Sequence, residues 1–259
     1  MPSVSFVTAL QDNYIWIILS DNRRHAIVID PGVAEPVRLF LQRQGLQLSA
    51  ILLTHHHPDH INGVADLVAH YRCPVYGMHR EELPWISHTV NDHNKILVEN
   101  FHFALEVISV PGHTRDHVAY YHKSALFCGD TIFAGGCGRL FEGTARQLFE
   151  SINLLSRLPD DTRIYCAHEY TQNNLQFAQL IEPDNAELIQ RLSQTRQLRQ
   201  QKLPTVPSSL KVERQTNPFL RCHLAQVRKR VAELTDQPLA NSEITFARLR
   251  RLKDQWHPA

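Results

Sequence analysis

The sequence lacks a CxxC pair, and its five cysteines (Cys73, Cys128, Cys137, Cys166 and Cys222) are scattered and odd in number. That excludes a disulfide framework and fits reduced thiols in a cytoplasmic protein. No basic region precedes a long apolar core in the opening "MPSVSFVTALQDNYIWIILSDNRRH", and no small-residue cleavage site follows. Neither a signal peptide nor a membrane span is expected. Neither sign of charge is in excess: 27 basic residues stand against 26 acidic ones, net +1. No global field therefore draws the chain to nucleic acid or to a membrane, and an anionic ligand needs a local cluster. G-x-S-x-G, internal repeats and low-complexity tracts are also missing, which removes the serine-hydrolase elbow and the solenoid folds. One residue type is abundant: 16 of the 259 residues are histidine.

The first two thirds of the chain alternate short apolar runs with helical patterns. "YIWIILS" and "AIVID" read as paired strands closed by the turn Asp30-Pro31-Gly32. "AEPVRLFLQRQG" reads as a helix ending on Gly45. "AILLT" reads as a buried strand, and "INGVADLVAHYR" as one helix. The strands "KILV", "FALEVISV", "VAYYH", "ALFCGD" and "RIYCA" follow. From about Tyr170 the pattern is helical, interrupted by the Pro-rich link "LPTVPSSL". The architecture expected is α/β: a sandwich-like metal domain over residues 1–169 and a smaller helical domain over 170–259.

Several strand ends carry a residue that binds metals. "LTHHHPDH" offers His55, His57, Asp59 and His60 directly after a strand. On an extended turn alternate residues face the same way, so His55 and His57 can grip one ion, while Asp59 and His60 lie past the bend. "SVPGHTRDH" presents His113 after a Pro-Gly turn, with His117 as a competing candidate better suited to packing or to supporting a ligand. Asp130 follows "LFCG" and His168 follows "IYCA". Together they supply His55, His57 and His113 for one ion, Asp59, His60 and His168 for a second, and Asp130 as a bridge. Three private ligands and a shared carboxylate leave room for water at each ion, which is an open catalytic pattern. Asp30 reads as a turn residue or as a support for the histidine loop. Cys137 has no neighbouring histidine to activate it and reads as packing.

These segments resemble the metallo-β-lactamase fold superfamily through H-x-H-x-D-H at His55–His60. Within it they are most similar to glyoxalase II, the hydroxyacylglutathione hydrolases, through "DNYIW", "PGHT", "FCGDT", "GGCGRLFEGTA", "AHEYTQNN" and the ending "RRLKDQW". The resemblance covers the whole chain. It implies a four-layer αβ/βα sandwich followed by a helical domain, and two divalent metals, zinc above all, with iron or manganese also used. It implies a small-molecule substrate, S-D-lactoylglutathione, hydrolysed to D-lactate and glutathione by a hydroxide held between the ions. It also implies substrate contacts from Arg139 and Phe141, where some relatives have Lys and Tyr, from Tyr170, and from the basic pair Arg250 and Lys253. In "FARLRRLKDQW" the same pair reads equally as the solvated face of an amphipathic helix.

A thiolate is a good leaving group, with a free thiol pKa of only ~8.5, so a thioesterase needs no dedicated general acid. Were a single ion bound, Asp59 could instead serve as general base. A lactonase or β-lactamase of the same superfamily has no use for a basic C-terminal pair. A phosphodiesterase fits poorly with a balanced charge, and a persulfide dioxygenase needs only one iron. A non-catalytic metal-binding protein would be expected to have lost ligands, and here every ligand position is filled. A monomer without nucleic-acid or membrane partners is expected.

Overall fold

The run NYIWIIL at residues 13–19 forms a strand buried at six of its seven positions, as a continuously apolar segment requires when both sides of a sheet are covered. The structure is a computed structural model that describes residues 3–257. They form two units: the residues up to Ser109 with Asp116–Gly129, and Val110–Arg115 with the residues from Asp130 on.

The first unit holds a six-stranded sheet in the order β1 (Ser3–Ala9), β2 (Asn13–Leu19), β3 (His25–Ile29), β4 (Gln47–Leu52), β5 (Val75–Gly77) and β6 (His88–Thr89). β1 to β3 are antiparallel, and β3 to β6 parallel. Helices α1 (Ala34–Gln44) and α3 (Val64–Tyr71) bury Val37, Leu41, Val64 and Leu67 in one core with Ile15, Ile17, Val28, Ile51 and Val75. Gly45 ends α1 in the left-handed conformation, φ 63°, as its position in the sequence predicts.

The helix expected over "INGVADLVAHYR" is α3, which starts only at Val64. A short helix α2 (Pro58–Ile61) starts on Pro58 inside the histidine tract, and the chain breaks at Gly63 before α3. At Gly63 a Cβ would lie 2.5 Å from both Ala34 N and Pro31 O, so only glycine fits this close approach. Asp59 and His60 therefore ride on a helical turn. Four antiparallel strands complete the unit in the order β10 (Ala125–Gly129), β9 (Val118–His122), β8 (Ala104–Ser109) and β7 (Lys95–Leu97). The buried Tyr120 hydroxyl donates to Leu53 O at 2.6 Å, pinning the chain just before the histidines. Burial raises the pKa of this phenol and keeps it a donor.

The second unit opens with a hairpin, β11 (Ile132–Phe133) and β12 (Gly136–Cys137), followed by α4 (Ala145–Leu155), which Thr144 and Gln147 cap reciprocally. β13 (Arg163–Cys166) precedes α5 (Thr171–Ile181) and α6 (Ala186–Gln200), whose Leu175, Ala178, Leu188 and Leu192 pack together. β14 (Ser208–Ser209) pairs with β13. It leads into α7 (Leu210–Thr216), a 3-10 turn at Pro218–Leu220, α8 (Ala225–Thr235) and α9 (Ser242–Gln255). The sequence pattern announces α5, α6, α8 and α9 but not α7, whose seven residues span about two turns, too few to display a period. Among the described residues no helix is long and apolar enough to cross a membrane.

Candidate metal centre

Within the first unit, His55 follows β4 and is 5% exposed, and His60 on α2 is 1% exposed. His55 Nε2 lies 3.1 Å from His57 Nδ1, and His60 Nε2 lies 3.3 Å from Asp59 Oδ2. Two ligands of one tetrahedral ion, each ~2.0–2.1 Å from it, are separated by about 3.3 Å. Both pairs have the separation of ligands that share an ion.

Asp30 organises these rings. It is buried and adopts the left-handed backbone conformation, φ 52°, which Asp tolerates better than most residues. Its Oδ1 accepts from Thr54 N at 2.8 Å, and its Oδ2 accepts from Thr54 Oγ1 at 2.6 Å and His60 Nδ1 at 3.0 Å. A carboxylate only accepts, so His60 carries its proton on Nδ1 and turns a bare Nε2 toward Asp59. Because the Thr54 hydroxyl donates to Asp30, its oxygen accepts from His55 Nδ1 at 3.0 Å, which leaves His55 Nε2 bare as well. Asn13 Nδ2 donates to Asp59 Oδ2 at 3.0 Å. His117 is fully buried and stacks on His55 with ring centroids 4.7 Å apart.

Within the second unit, His113 follows β8, Asp130 follows β10 and His168 follows β13, all three buried. The Asp130 carboxylate lies between the two imidazoles. Its Oδ2 is 3.4 Å from His113 Nε2 and its Oδ1 is 3.5 Å from His168 Nε2. Each oxygen thus faces a different ring, at 3.4 and 3.5 Å. Arg139 O accepts from His113 Nδ1 at 2.7 Å, so His113 also presents a bare Nε2. At Gly138 a Cβ would sit 1.9 Å from Asp130 O and 3.2 Å from His113 Nδ1; only glycine lets the chain pass this close. Imidazole and carboxylate donors, neutralised or oriented by such outer bonds, suit a divalent transition metal.

The residues that the resemblance connects with substrate lie in this second unit. Arg139 and Phe141 are exposed, with the Phe141 ring edge-on to His113 at 5.3 Å. Tyr170 stacks flat on His168 at 4.7 Å. Arg250 is 5% exposed: its Nη1 donates to Cys137 O at 2.9 Å and its guanidinium lies over Phe219. Its Nε is buried and has no hydrogen-bond partner. The Asp254 carboxylate sits 3.2 Å from Arg250 Nη2 and 3.6 Å from Arg139 Nε. The Lys253 ammonium lies 4.3 Å from the Trp256 ring centroid and 5.2 Å from that of Phe177. Burial first, and Arg250 second, lower its pKa to about 8. Burial pushes the Cys137 thiol up to about 11, so it is no nucleophile at neutral pH.

Sequence reading does not find Thr54 or Asn13, because a threonine at a strand end and an asparagine opening a strand carry no distinguishing pattern. Their only signal is adjacency: Thr54 precedes His55, and Asn13 lies in "DNYIW".

Residues 7–168 match the model of the metallo-β-lactamase superfamily, and residues 169–256 match that of the hydroxyacylglutathione hydrolase C-terminus. The hydroxyacylglutathione hydrolase of Alkalilimnicola ehrlichii is 49% identical over 98% of this chain and 100% of its own length. That of Photobacterium profundum is 47% identical over 99% of this chain and 100% of its own. Among solved structures, ETHE1 from Myxococcus xanthus covers 95% of this chain and 98% of its own, at TM-score 0.67 and 24% identity, a likeness of fold. TTHA1623, solved in a di-iron-bound form, covers 85% of this chain and 100% of its own, at TM-score 0.59 and 26% identity. The chain has the α/β metallo-β-lactamase fold with a helical C-terminal domain, and it belongs to the hydroxyacylglutathione hydrolase family.

Proposed function

We propose that this chain hydrolyses S-2-hydroxyacylglutathione thioesters, converting S-D-lactoylglutathione and water to D-lactate and glutathione, the second step of methylglyoxal detoxification. Full-length kinship with hydroxyacylglutathione hydrolases supports the reaction. The observation that carries the chemistry is Asp130, whose two oxygens face the separate imidazoles of His113 and His168.

In this reading one divalent ion would be held by His55, His57 and His113 and a second by Asp59, His60 and His168, with Asp130 available to both. Zinc is the metal proposed, because the imidazole and carboxylate donors suit it, though iron and manganese use the same ligands. Bound divalent ions supply Lewis acidity and make water a nucleophile at neutral pH.

The chain's own residues then do the rest. Asp30, Thr54 and the Arg139 carbonyl hold the ligand tautomers. Arg139, Tyr170, Arg250 and Lys253 take the glutathione moiety, Phe141 lines its path, and the glycine carboxylate goes to Arg250 and Lys253. No acid is needed at the sulfur, because a thiolate leaves readily at neutral pH.

A metal domain over residues 1–169 and a substrate-binding helical domain over 170–259 divide these tasks. We also propose a monomer working in the cytoplasm on a small soluble substrate, with neither nucleic acid nor membrane as partner, which suits the net charge of +1. Asp130→Ala tests the reading. Metal per chain should fall by about one ion and nearly all thioester turnover should vanish; a variant that keeps both ions and its turnover refutes the bridging role.

A further inference from the structure

The β11–β12 hairpin is too small to hold itself. It contains two ladder pairs, Ile132↔Cys137 and Phe133↔Gly136, and joins no larger sheet among the described residues. A lone two-stranded hairpin is marginal in water even when longer. Yet it links much of the second unit's chemistry. Asp130 stands two residues before it, and its base is closed by Gly138 N donating to Thr131 O at 3.2 Å. Its Phe133 ring packs edge-on to His168 at 5.8 Å and to Tyr170 at 5.2 Å. Its exit passes over His113, whose Nδ1 proton goes to Arg139 O.

What holds it is a buried polar network rooted in α7. Glu213 is completely buried. Its Oε2 accepts from Gly135 N at the hairpin tip, 2.8 Å, and from Asn217 Nδ2, 3.1 Å. Its Oε1 accepts from Arg191 Nη2 and from Ser208 Oγ, so the charge is paired and both oxygens are occupied. One turn further on, Asn217 Nδ2 also reaches Phe133 O at 3.2 Å and Gly136 O at 2.9 Å. Asn174 of α5 donates to Ala134 O at 3.2 Å. The peptide groups of residues 133–136 are thus bound by three side chains: Glu213 and Asn174 on helices, and Asn217 at the end of α7.

We infer that Glu213 is a positioning residue for the hydrolysis, setting the hairpin that places His113, Asp130, His168 and the Arg139–Phe141 loop. A buried carboxylate with four donors has one low-energy placement, and a site of this kind needs its ligands held to within about 0.5 Å. The inference rests on the thioesterase reading for its kinetic arm and is independent of it for its metal arm.

Glu213→Gln removes an acceptor from one side of the network, and Glu213→Asp keeps the charge but shortens the reach to Gly135 N. Val231→Ala, a buried α8 position whose side chain takes no part in the hydrogen-bond network around Glu213, supplies a destabilised control. Each protein is loaded with cobalt(II). Cobalt per chain, the visible d–d spectrum without substrate, Tm, and kcat and KM for S-D-lactoylglutathione are then measured. Both Glu213 variants should show an altered cobalt spectrum and a kcat lowered about 10- to 100-fold, as loss of outer support for metal ligands does, with Asp the milder. Val231→Ala should lose Tm and keep its spectrum and kcat. Glu213 variants that lose only Tm overturn the inference, as does a control that alters the spectrum equally. If Glu213→Gln does not fold, Glu213→Asp carries the test. Wild-type protein inert toward the thioester would refute the thioesterase reading and leave the spectral comparison standing.

Discussion

Replacing Asp30 by asparagine swaps one oxygen for an amide nitrogen and changes little in volume. Asn can keep an oxygen on Thr54 N, the 2.8 Å bond. Its NH2 then faces the Thr54 hydroxyl and His60 Nδ1, both of which now donate to Oδ2. Two charge-assisted bonds become bonds to a neutral amide, a loss of about 1–1.5 kcal/mol each. The sum of about 2–3 kcal/mol lowers Tm by roughly 4–12 °C at ~2–4 °C per kcal/mol for a chain of this size. More telling is the proton. Facing a donor, His60 Nδ1 gives up its hydrogen and Nε2 takes one, and Nε2 is the nitrogen aimed at Asp59. Affinity for one ion should fall about 10- to 100-fold, equivalent to ~1.4–2.7 kcal/mol. Competition with a chelator of known affinity, followed by metal analysis, measures it. Wild-type affinity for both ions in Asp30→Asn would refute the tautomer reasoning.

Lys253 should make substrate binding pH-dependent. With its pKa lowered to about 8, it is cationic below that pH and neutral above, so KM for the anionic thioester should rise as pH passes 8. Lys253→Met should have a raised KM without that step, and an identical pH profile in wild type and variant would contradict the role. The same lowered pKa makes the charged lysine a stability cost that is full below pH 8 and fades as pH rises toward 10.5. The Tm difference between Lys253→Met and wild type should therefore shrink from pH 7 to pH 10. Phe141→Tyr adds a hydroxyl to the ring beside His113. At about 0.5–1.5 kcal/mol for one hydrogen bond, KM should fall ~2- to 12-fold with kcat unchanged; an unchanged KM would show that the ring makes no polar contact with substrate.

The sequence revealed the centre more readily than the scaffold that holds it, for a physical reason. Histidine and aspartate at strand ends are chemically distinctive and seldom demanded by packing, so "THHHPDH", His113, Asp130 and His168 stand out before any fold is known. The apolar runs behind β2, β3, β4 and β10 are equally plain, because buried strands need them. Contacts distant in sequence leave no such trace. Glu213 meets Gly135 across 78 residues, and within "LKVERQT" nothing separates it from a solvated helix glutamate. Asp30 could be read as a support for the histidine loop but not as the acceptor that sets His60, since that depends on the turn at φ 52°. The late start of α3 is not visible in the periodicity, which runs through Gly63; the close approach of Ala34 and Pro31 to Gly63 accounts for it.

The most direct test of the central claim is steady-state hydrolysis of S-D-lactoylglutathione by the purified protein, with bound metal quantified in the same sample. Rapid release of glutathione with close to two metals per chain is the expected result. A fully metal-loaded protein that leaves the thioester intact would contradict it.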